Sequence, residues 1–421
     1  MRVEFYTSEI TSIFARFQGL VGDHHWRKRV GQIRAEVRGN PLLRDHLFDE
    51  NAIAFGLAFC SDFTRRYGQI PVHAPDCRPI YPCMAFAGQV LSIIDASSPD
   101  RARQLVRRIH GALKNPDDMR ALQLELTAAT HFTKRGHSVA WPEMNGTGTM
   151  DLVIGGLGPS GLEVECKSIS EDKGRKIHKR EAIGFCHLLA PKLNSVGNSL
   201  RIGLAVVLTV DGRLPTAFKD RKQLALAVST NLLSGRSVTE LPGANLRVSE
   251  FDLRLLGAIR SEGVPIITHA AVDQITLTNN REAMIVGRKS GGAVVFVVQS
   301  SRDDALLPYV FETLARSANK QLSKSRAGLF LVGLHGIEAD SLVAVAEQDS
   351  DPNQPPTALR RHVSDFLSGQ GRDHVVGVGF ISKNRLQPDN AGHVASGGSA
   401  YVFPKKESPF WHDDFAGLFH K

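Results

Sequence analysis

Cysteine is scarce in this 421-residue sequence, and aromatic residues make up only 7% of it. The five cysteines are scattered along the chain, at Cys60, Cys77, Cys83, Cys166 and Cys186. An odd and scattered set argues against the disulfide framework of a small secreted domain, so we expect reduced thiols. His73, Cys77 and Cys83 lie close together in a Pro-rich loop, but without a paired CxxC they favour a rigid loop over a zinc site.

Long apolar runs and nucleotide-binding motifs are also missing. No hydrophobic stretch has the length needed to span a bilayer, and residues 1–5 lack the apolar core of a secretory signal. We therefore expect a cytoplasmic protein, of bacterial type, that does not bind membranes. Because no GxxxxGK[ST] motif is present, ATP-driven translocation would require a separate ATPase partner.

What the chain does contain is an excess of basic residues and ample apolar material. It has 51 Lys and Arg against 43 Asp and Glu, a formal net charge of +8, and 42% hydrophobic residues. This length predicts two or three domains, and the basic balance favours polyanionic partners such as nucleic acid.

The most informative segment is the apparent strand 162–167, with the sequence LEVECK. Side chains alternate between the two faces of a strand. One face therefore carries Glu163, Glu165 and Lys167. The other face carries Leu162, Val164 and Cys166. Taken alone, such a strand is typical of a solvated sheet face with ion pairs between strands.

A second acid precedes this strand at a distance that favours a hairpin. Residues 149–154 read as a strand with Asp151 near its start, and a Gly-Gly pair follows them. Antiparallel pairing of the two strands would bring Asp151 beside Glu165.

A third acid lies on a predicted helix over residues 116–135. Asn115 is the expected N-cap, Pro116 the first helical residue and Gly136 the terminator. A period of 3.6 residues puts Glu125 in the middle of an apolar stripe. The stripe consists of Ala121, Leu122, Ala128, Ala129 and Phe132. A carboxylate on a core-facing stripe requires a cation, a metal ion or a hydrogen-bond network as its partner.

The order of these elements resembles the PD-(D/E)xK nuclease superfamily, which has the restriction-endonuclease-like fold. A helix with Glu125 is followed by a strand at 137–141, the strand with Asp151, the strand with Glu165-Cys166-Lys167, and then a further helix and strand. The resemblance covers about residues 116–235. Met150 stands where the name of the family implies proline, and that proline is often missing in the superfamily.

The resemblance implies a site for Mg²⁺, with Mn²⁺ as a substitute. Asp151, Glu165 and the backbone carbonyl of Cys166 would be the metal ligands, in keeping with the oxygen preference of Mg²⁺. Lys167 would orient the attacking water and stabilise negative charge that develops on the phosphate.

Two further acids would support this site. The resemblance implies that Glu125 holds a metal-bound water from the helix. Glu163 shares the face of Glu165 but matches no required position of the family. We expect it to be solvated or to lie behind the metal ligands.

Five basic residues follow the strand: Lys173, Arg175, Lys176, Lys179 and Arg180. If a helix begins near Ile177, part of this run lies on one helical side and would flank the metal site as a DNA-binding face. Such a run is also typical of a solvated surface.

The predicted fold class is α/β, with a restriction-endonuclease-like core in which helices flank a mixed sheet. We predict a helical accessory domain over residues 1–115 and the nuclease core over 116–235. A helix at 177–194 and a strand at 200–210 would complete this core. Residues 236–421 would form an α/β domain, for which a degenerate copy of the core is one alternative, with Val297 and Gln299 at the positions of Glu165 and Lys167.

The predicted function is that of a metal-dependent nuclease that hydrolyses DNA, as an endonuclease in bacterial restriction, phage defence or repair. Two alternatives stay open. The first is a catalytically silent nucleic-acid-binding or assembly module, and the second is an RNA nuclease, since the sequence does not separate the two substrates. A homodimer and a separate ATPase or defence partner are compatible with this prediction.

Overall fold

The computed structural model describes residues 5–71, 79–232, 234, 236–256, 269–278, 281–287, 292–335, 339–383, 389, 391–394 and 398–418. His73 and Cys77, considered above as zinc ligands, lie outside these residues. No helix among the described residues is both long enough and apolar enough to cross a bilayer.

The described residues form α-helices and β-strands in a mixed order. The helices are α1 (Ile10–Val21), α2 (His24–Gly39), α3 (Arg44–Glu50), α4 (Ala52–Tyr67), α5 (Ile80–Asp95), α6 (Pro99–Ala112), α7 (Pro116–Lys134), α8 (Pro142–Asn145), α9 (Lys179–Ser199), α10 (Phe218–Asn231), α11 (His269–Thr276), α12 (Leu306–Lys320), α13 (Ala339–Ser350) and α14 (Ala358–Leu367). The strands are β1 (Phe5–Tyr6), β2 (Ser138–Ala140), β3 (Leu152–Gly155), β4 (Leu162–Ile169), β5 (Gly203–Val210), β6 (Val238–Leu241), β7 (Ala244–Phe251), β8 (Arg281–Gly287), β9 (Ala293–Ser300), β10 (Ala327–Leu334), β11 (Val375–Lys383), β12 (His393–Val394) and β13 (Gly398–Pro404).

The chain divides into two compact units. The first unit comprises Met1–Ala35, Leu47–Lys173 and Leu307–Lys421, and the second comprises Glu36–His46 and Gly174–Leu306. The predicted boundaries at 115/116 and 235/236 do not coincide with this division, because the chain returns to the first unit after residue 306.

A six-stranded mixed sheet lies in the first unit, in the order β13-β11-β10-β4-β3-β2. Strands β2, β3 and β4 pair antiparallel, whereas β10 runs parallel to both β4 and β11. Helix α7 covers one face, where Leu124, Ala128 and Phe132 share a core with Val164 and Cys166. The predicted apolar face of β4 is therefore confirmed.

Helices α12 and α14 cover the other face of this sheet. Phe330 lies opposite Glu165 in the register of β10 and β4. Its ring packs on Phe366 of α14, with ring centroids 5.9 Å apart, and Phe366 packs on Phe311 of α12 at the same distance. The face that carries Glu163 and Glu165 is therefore part of the interior, not the solvated sheet face that the strand would suggest alone.

Helix α7 begins and ends as its sequence predicts. The Asn115 side chain accepts a hydrogen bond from the backbone N–H of Asp117 at 3.0 Å, and Pro116 occupies the first turn. Gly136 follows the helix with φ of 86°, which a residue with a side chain rarely adopts. This cap fixes where Glu125 lies along the helix.

The N-terminal helices pack directly against the helix that carries Glu125. Helices α1, α4, α5 and α6 form a bundle, and both α5 and α6 contact α7. Its core includes Phe17, whose ring lies 6.1 Å from that of Trp26 and 6.0 Å from that of Phe86. The predicted helical domain over residues 1–115 is helical as expected, but most of it belongs to the same compact unit as β3 and β4.

The second unit holds a five-stranded mixed sheet in the order β6-β7-β5-β9-β8. Helices α9 and α10 cover one face of this sheet, and α11 covers the other. Strand β5 runs parallel to β9 in this sheet. The prediction that residues 200–210 complete the sheet around Lys167 is therefore wrong. Strand β10, not β5, pairs with β4. An apolar strand indicates that both of its faces are buried, but it does not indicate which sheet it joins.

The alternative of a degenerate copy over residues 236–421 is also wrong. Strands β8 and β9 lie in the five-stranded sheet, whereas β10, β11 and β13 lie in the six-stranded one. Val297 is fully buried in the core of the second unit. Gln299 donates a hydrogen bond to Thr209 on β5 at 3.0 Å. The repeated rhythm of strands and helices arises because the chain builds two separate sheets.

Candidate functional site

Asp151 and Glu165 lie side by side at neighbouring strands, as the predicted hairpin requires. Leu152 pairs with Val164 in the antiparallel register of β3 and β4, which brings the preceding Asp151 next to Glu165. The carboxylate Oδ2 of Asp151 accepts a hydrogen bond from the backbone N–H of Cys166 at 2.7 Å. The Cys166 side chain belongs to the opposite core, where burial raises the pKa of its thiol well above the usual value. Only its backbone could then take part in the site.

Lys167 lies in the same cluster. Its Nζ donates to Oε1 of Glu165 at 2.6 Å and to the side-chain oxygen of Gln321 at 2.8 Å. The backbone carbonyl of Gln321 accepts a hydrogen bond from Thr149 Oγ1 at 2.7 Å. Gln321 therefore links the end of α12 to β4 and to the segment that precedes β3. No sequence signal pointed to it, because it lies 154 residues from Lys167 in the chain.

Glu125 is brought to this cluster by α7, and Arg108 of α6 is its partner. The Glu125 side chain is only 3% exposed, and its Oε1 lies 2.6 Å from Nη2 of Arg108. The same Nη2 lies 3.8 Å from Oε2 of Glu143, which is half exposed. The expectation that a carboxylate on this stripe has a partner is confirmed, and the partner is a cation.

Burial sets the acidity of these groups. It raises the pKa of Glu125 to about 8, helped by the negative charge of Asp151 and opposed by Arg108. It raises the pKa of Glu165 to about 7, again with Asp151 adding to the effect and Lys167 opposing it. Burial also raises the pKa of Asp151, although the Cys166 N–H and Lys167 act in the opposite direction. The acids repel one another in a poorly solvated place.

The cluster has fewer positive charges than negative ones. When ionised, Glu125, Asp151 and Glu165 carry three negative charges, against two positive charges on Arg108 and Lys167. Oε2 of Glu125 and Oε2 of Glu165 are buried without a hydrogen-bond partner among the described residues. Unpaired buried carboxylate oxygens are costly, and a hard divalent cation is the ligand that they suit.

The ligand set available for a metal ion is small. Within the described ranges, no group of three or more His, Cys, Asp or Glu side chains is arranged to hold a metal ion. A cation bound by Asp151 and Glu165 would therefore complete its coordination with a backbone oxygen, with water and with substrate. This fits Mg²⁺, which keeps several waters when protein carboxylates bind it.

Glu163 is not solvated, which corrects one of the two expectations for it. It is fully buried, and its carboxylate accepts hydrogen bonds from the Ser323 N–H at 2.8 Å and from Ser323 Oγ at 2.5 Å. Both oxygens are therefore occupied by the loop that joins α12 to β10. The contacts indicate that Glu163 holds this loop against β4.

We expect Glu163→Ala to lower the free energy of unfolding by about 1–3 kcal/mol, because it removes the two hydrogen bonds that Ser323 donates to this fully buried carboxylate and leaves a gap beside β4. Chemical denaturation measures this change. Glu347→Ala, at an exposed position of α13, is the matched control and should stay within about 0.5 kcal/mol of the native protein. Equal stability of the two variants would show that the Ser323 contacts contribute nothing.

In the middle of the predicted basic run, Arg175 forms ion pairs with acids of the second unit. Arg175 Nη1 lies 2.6 Å from Oε1 of Glu282, and its Nε lies 3.5 Å from Oδ2 of Asp304. Asp304 Oδ1 also accepts the backbone N–H of Lys176 at 2.7 Å. Residues 174–176 are not helical, and Glu282 and Asp304 hold Arg175 and Lys176 in place.

The ends of the basic run differ from the prediction as well. The ammonium of Lys173, the last residue of the first unit, lies 5.6 Å from the centre of the Tyr309 ring. Helix α9 begins at Lys179, two residues after the predicted start, so Lys176 lies outside the helix and cannot share a helical face with Arg180. Arg180 pairs with Glu36. The run is therefore a set of partly neutralised side chains divided between the two units.

Comparison of this chain with known proteins gave no match to any family model, curated protein or solved structure. The activity is therefore inferred from the geometry of its own residues. Glu165 forms an ion pair with Lys167, and Asp151 accepts the N–H of the intervening Cys166. Glu125, paired with Arg108, is near enough to Asp151 for the two charges to interact.

Proposed function

We propose that the first unit is a divalent-metal-dependent nuclease that hydrolyses phosphodiester bonds of DNA. One observation carries the proposal. Asp151, Glu165 and Lys167 converge on neighbouring strands, and a buried oxygen of Glu165 has no hydrogen-bond partner among the described residues. In a purely structural ion pair, a buried carboxylate oxygen without a partner beside a second buried acid would only cost stability.

The order of elements supports the same assignment. Helix α7, strands β2, β3 and β4, helix α12 and strand β10 follow the order that the PD-(D/E)xK resemblance implies, with the larger segment of the second unit, Gly174–Leu306, inserted after β4. The insertion explains why the helix and strand after Lys167 could not be identified by proximity in the sequence.

Each residue has a distinct role in the proposed reaction. Asp151 and Glu165 would hold Mg²⁺, or Mn²⁺ in its place. A bound divalent cation supplies Lewis acidity towards the scissile phosphate. Lys167, held by Glu165 and Gln321, would orient the attacking water and stabilise the charge that develops on the phosphate oxygens. Glu125 would accept hydrogen bonds from water at the helix side of the site.

DNA is the proposed substrate because the chain is basic, with a formal charge of +8. One observation favours the alternative of a silent binding module. Lys167 is already engaged by both Glu165 and Gln321, as a structural ion pair would be. Such a module would bind DNA equally well in the presence of chelator and would leave it intact.

The decisive experiment compares the native protein with Asp151→Asn on supercoiled plasmid, linear DNA and RNA, each with Mg²⁺, Mn²⁺ or EDTA. We expect nicked or linear plasmid with either metal, and none with EDTA or with Asp151→Asn. Glu347→Gln, which alters an exposed acid of α13, should cut like the native protein. Cleavage of RNA alone would change the substrate to RNA. Binding without cleavage of any substrate would favour the silent module.

A further inference from the structure

Arg108 lies in the site but has no role in the reaction proposed so far. Helix α6 buries Leu105, Ile109 and Ala112 on one stripe, and Arg108 lies beside that stripe. Its Nη2 donates to Glu125, and its positive charge lowers the pKa of Asp151 in opposition to burial. A cation from an N-terminal helix is thus held within reach of the acids on α7 and β3.

Most of the hydrogen-bonding capacity of this guanidinium is unused. Arg108 makes one hydrogen bond, through Nη2, to described residues, and its side chain remains 31% exposed. Glu143 is 3.8 Å away, too far for a hydrogen bond. Glu125 therefore fixes one corner of a planar group that has five N–H donors, and leaves the rest facing a partly open space.

We propose that Arg108 binds the phosphodiester of the substrate and that Glu125 positions Arg108 for this contact. This inference rests on the proposed function and deepens it, because it names the group that recognises the anion. The remaining N–H groups of the guanidinium suit an anionic ligand with several oxygens, and the guanidinium can donate two parallel hydrogen bonds to a phosphate. The scissile phosphate would lie beside Asp151 if Asp151 holds the cation. Arg108 then neutralises charge on the oxygens that Lys167 does not reach.

The assignment gives Glu125 a different role from the one predicted from its sequence. Its Oε1 orients Arg108, so its main effect is exerted through the arginine. It also makes the N-terminal helices part of the active site, because α6 supplies the residue that binds the anion.

The test uses the full chain with Arg108→Met, Arg108→Lys and Arg107→Met. Arg107 is the matched control because it is the preceding residue on α6 and is exposed. Cleavage is measured at saturating DNA and Mg²⁺, with and without added methylguanidinium. Binding of a short DNA duplex is measured in Ca²⁺, as a readout that does not depend on cleavage. Circular dichroism verifies that each variant is folded.

We expect Arg108→Met to lower kcat by about 100-fold and to weaken duplex binding by about tenfold, while Arg107→Met changes neither by more than about twofold. Arg108→Lys should retain part of the activity, since it keeps the charge and loses the planar fork. Methylguanidinium should restore part of the activity of Arg108→Met. A residue that only stabilised the fold would not respond to it.

Three results would overturn the inference or separate it from the proposed function. Equal kcat and binding for Arg108→Met and Arg107→Met would overturn it while leaving the nuclease assignment intact. Recovery of activity in Arg108→Met with Glu125→Gln would show that Arg108 merely neutralises Glu125, and would overturn it too. If the native protein cuts nothing but Arg108→Met still loses binding, the nuclease assignment fails and phosphate binding by Arg108 stands. If Arg108→Met does not fold, the kcat and binding of Arg108→Lys decide in the same way.

Discussion

Replacing Lys167 with glutamine is expected to lower kcat for DNA cleavage by about 10²–10³-fold, with little change in DNA binding. The glutamine amide can still donate to Glu165 and Gln321, so the local hydrogen bonds survive. The variant loses the positive charge that would stabilise the phosphate as negative charge develops on it. Removal of one such group typically lowers kcat by about 10²–10³-fold. Cleavage of supercoiled plasmid under saturating conditions measures the effect.

The matched control for this prediction is Lys406→Gln. Lys406 is an exposed lysine that follows β13 in the first unit, and its loss should leave cleavage unchanged. Comparable activity of Lys167→Gln and the native protein would remove Lys167 from the reaction and would return the Glu165–Lys167 contact to a structural ion pair.

A second large effect is expected for Glu165→Gln, which should be more stable than the native protein in chelator while being unable to cut DNA. Glu165 is fully buried, and its Oε2 lacks a hydrogen-bond partner in the described structure. Amide replacement removes a buried negative charge that Asp151 repels and keeps an acceptor for Lys167. We expect a gain of about 1–3 kcal/mol in the free energy of unfolding.

The pH dependence of this gain has a definite sign. The pKa of Glu165 is raised in the folded protein from 4.5 to about 7. A raised carboxyl pKa means that the folded state binds the proton more tightly, so the native protein loses stability as the pH rises from about 4.5 to 7. The advantage of Glu165→Gln should therefore be small near pH 4.5 and largest above pH 7.

Chemical denaturation of both proteins with EDTA and with Mg²⁺ measures this prediction. Mg²⁺ should stabilise the native protein, because it binds the folded site, and should have little effect on Glu165→Gln. The exposed Glu347→Gln should follow the native protein in both conditions. A variant that is less stable than the native protein in chelator at high pH would show that the Glu165 carboxylate is already satisfied without a cation.

The local elements around the site were predictable because their signals lie within a few residues of one another. Asn115, Pro116 and Gly136 mark the ends of α7, and the alternation along β4 separates Glu165 from Cys166. The turn between β3 and β4 is short enough for pairing to be inferred. These features depend on backbone geometry and side-chain periodicity, and both can be determined from one short stretch of sequence.

The partners of these side chains were not predictable from the same signals. Glu125 contacts Arg108, and Lys167 contacts Gln321. Glu163 contacts Ser323. In each pair the two residues lie far apart in the sequence. Arg108 is one of four arginines on α6, and nothing in the sequence distinguished it, Gln321 or Ser323 from other polar residues. The basic run after β4 was misjudged for the same reason, because Glu36, Glu282 and Asp304 lie far from it in the chain.

The sequence by itself determined which residues could form a site, namely three acids and a lysine on one helix and two strands. It also determined the α/β character of the chain, through the periods of its apolar residues. Only the tertiary structure decided that β10, and not β5, runs beside β4, and that Glu163 and Glu165 are buried. The physical reason is that β5 and β10 are both nearly continuous apolar strands, so the sequence of either strand is compatible with a buried central position in a sheet. Which one pairs with β4 depends on packing across the whole unit.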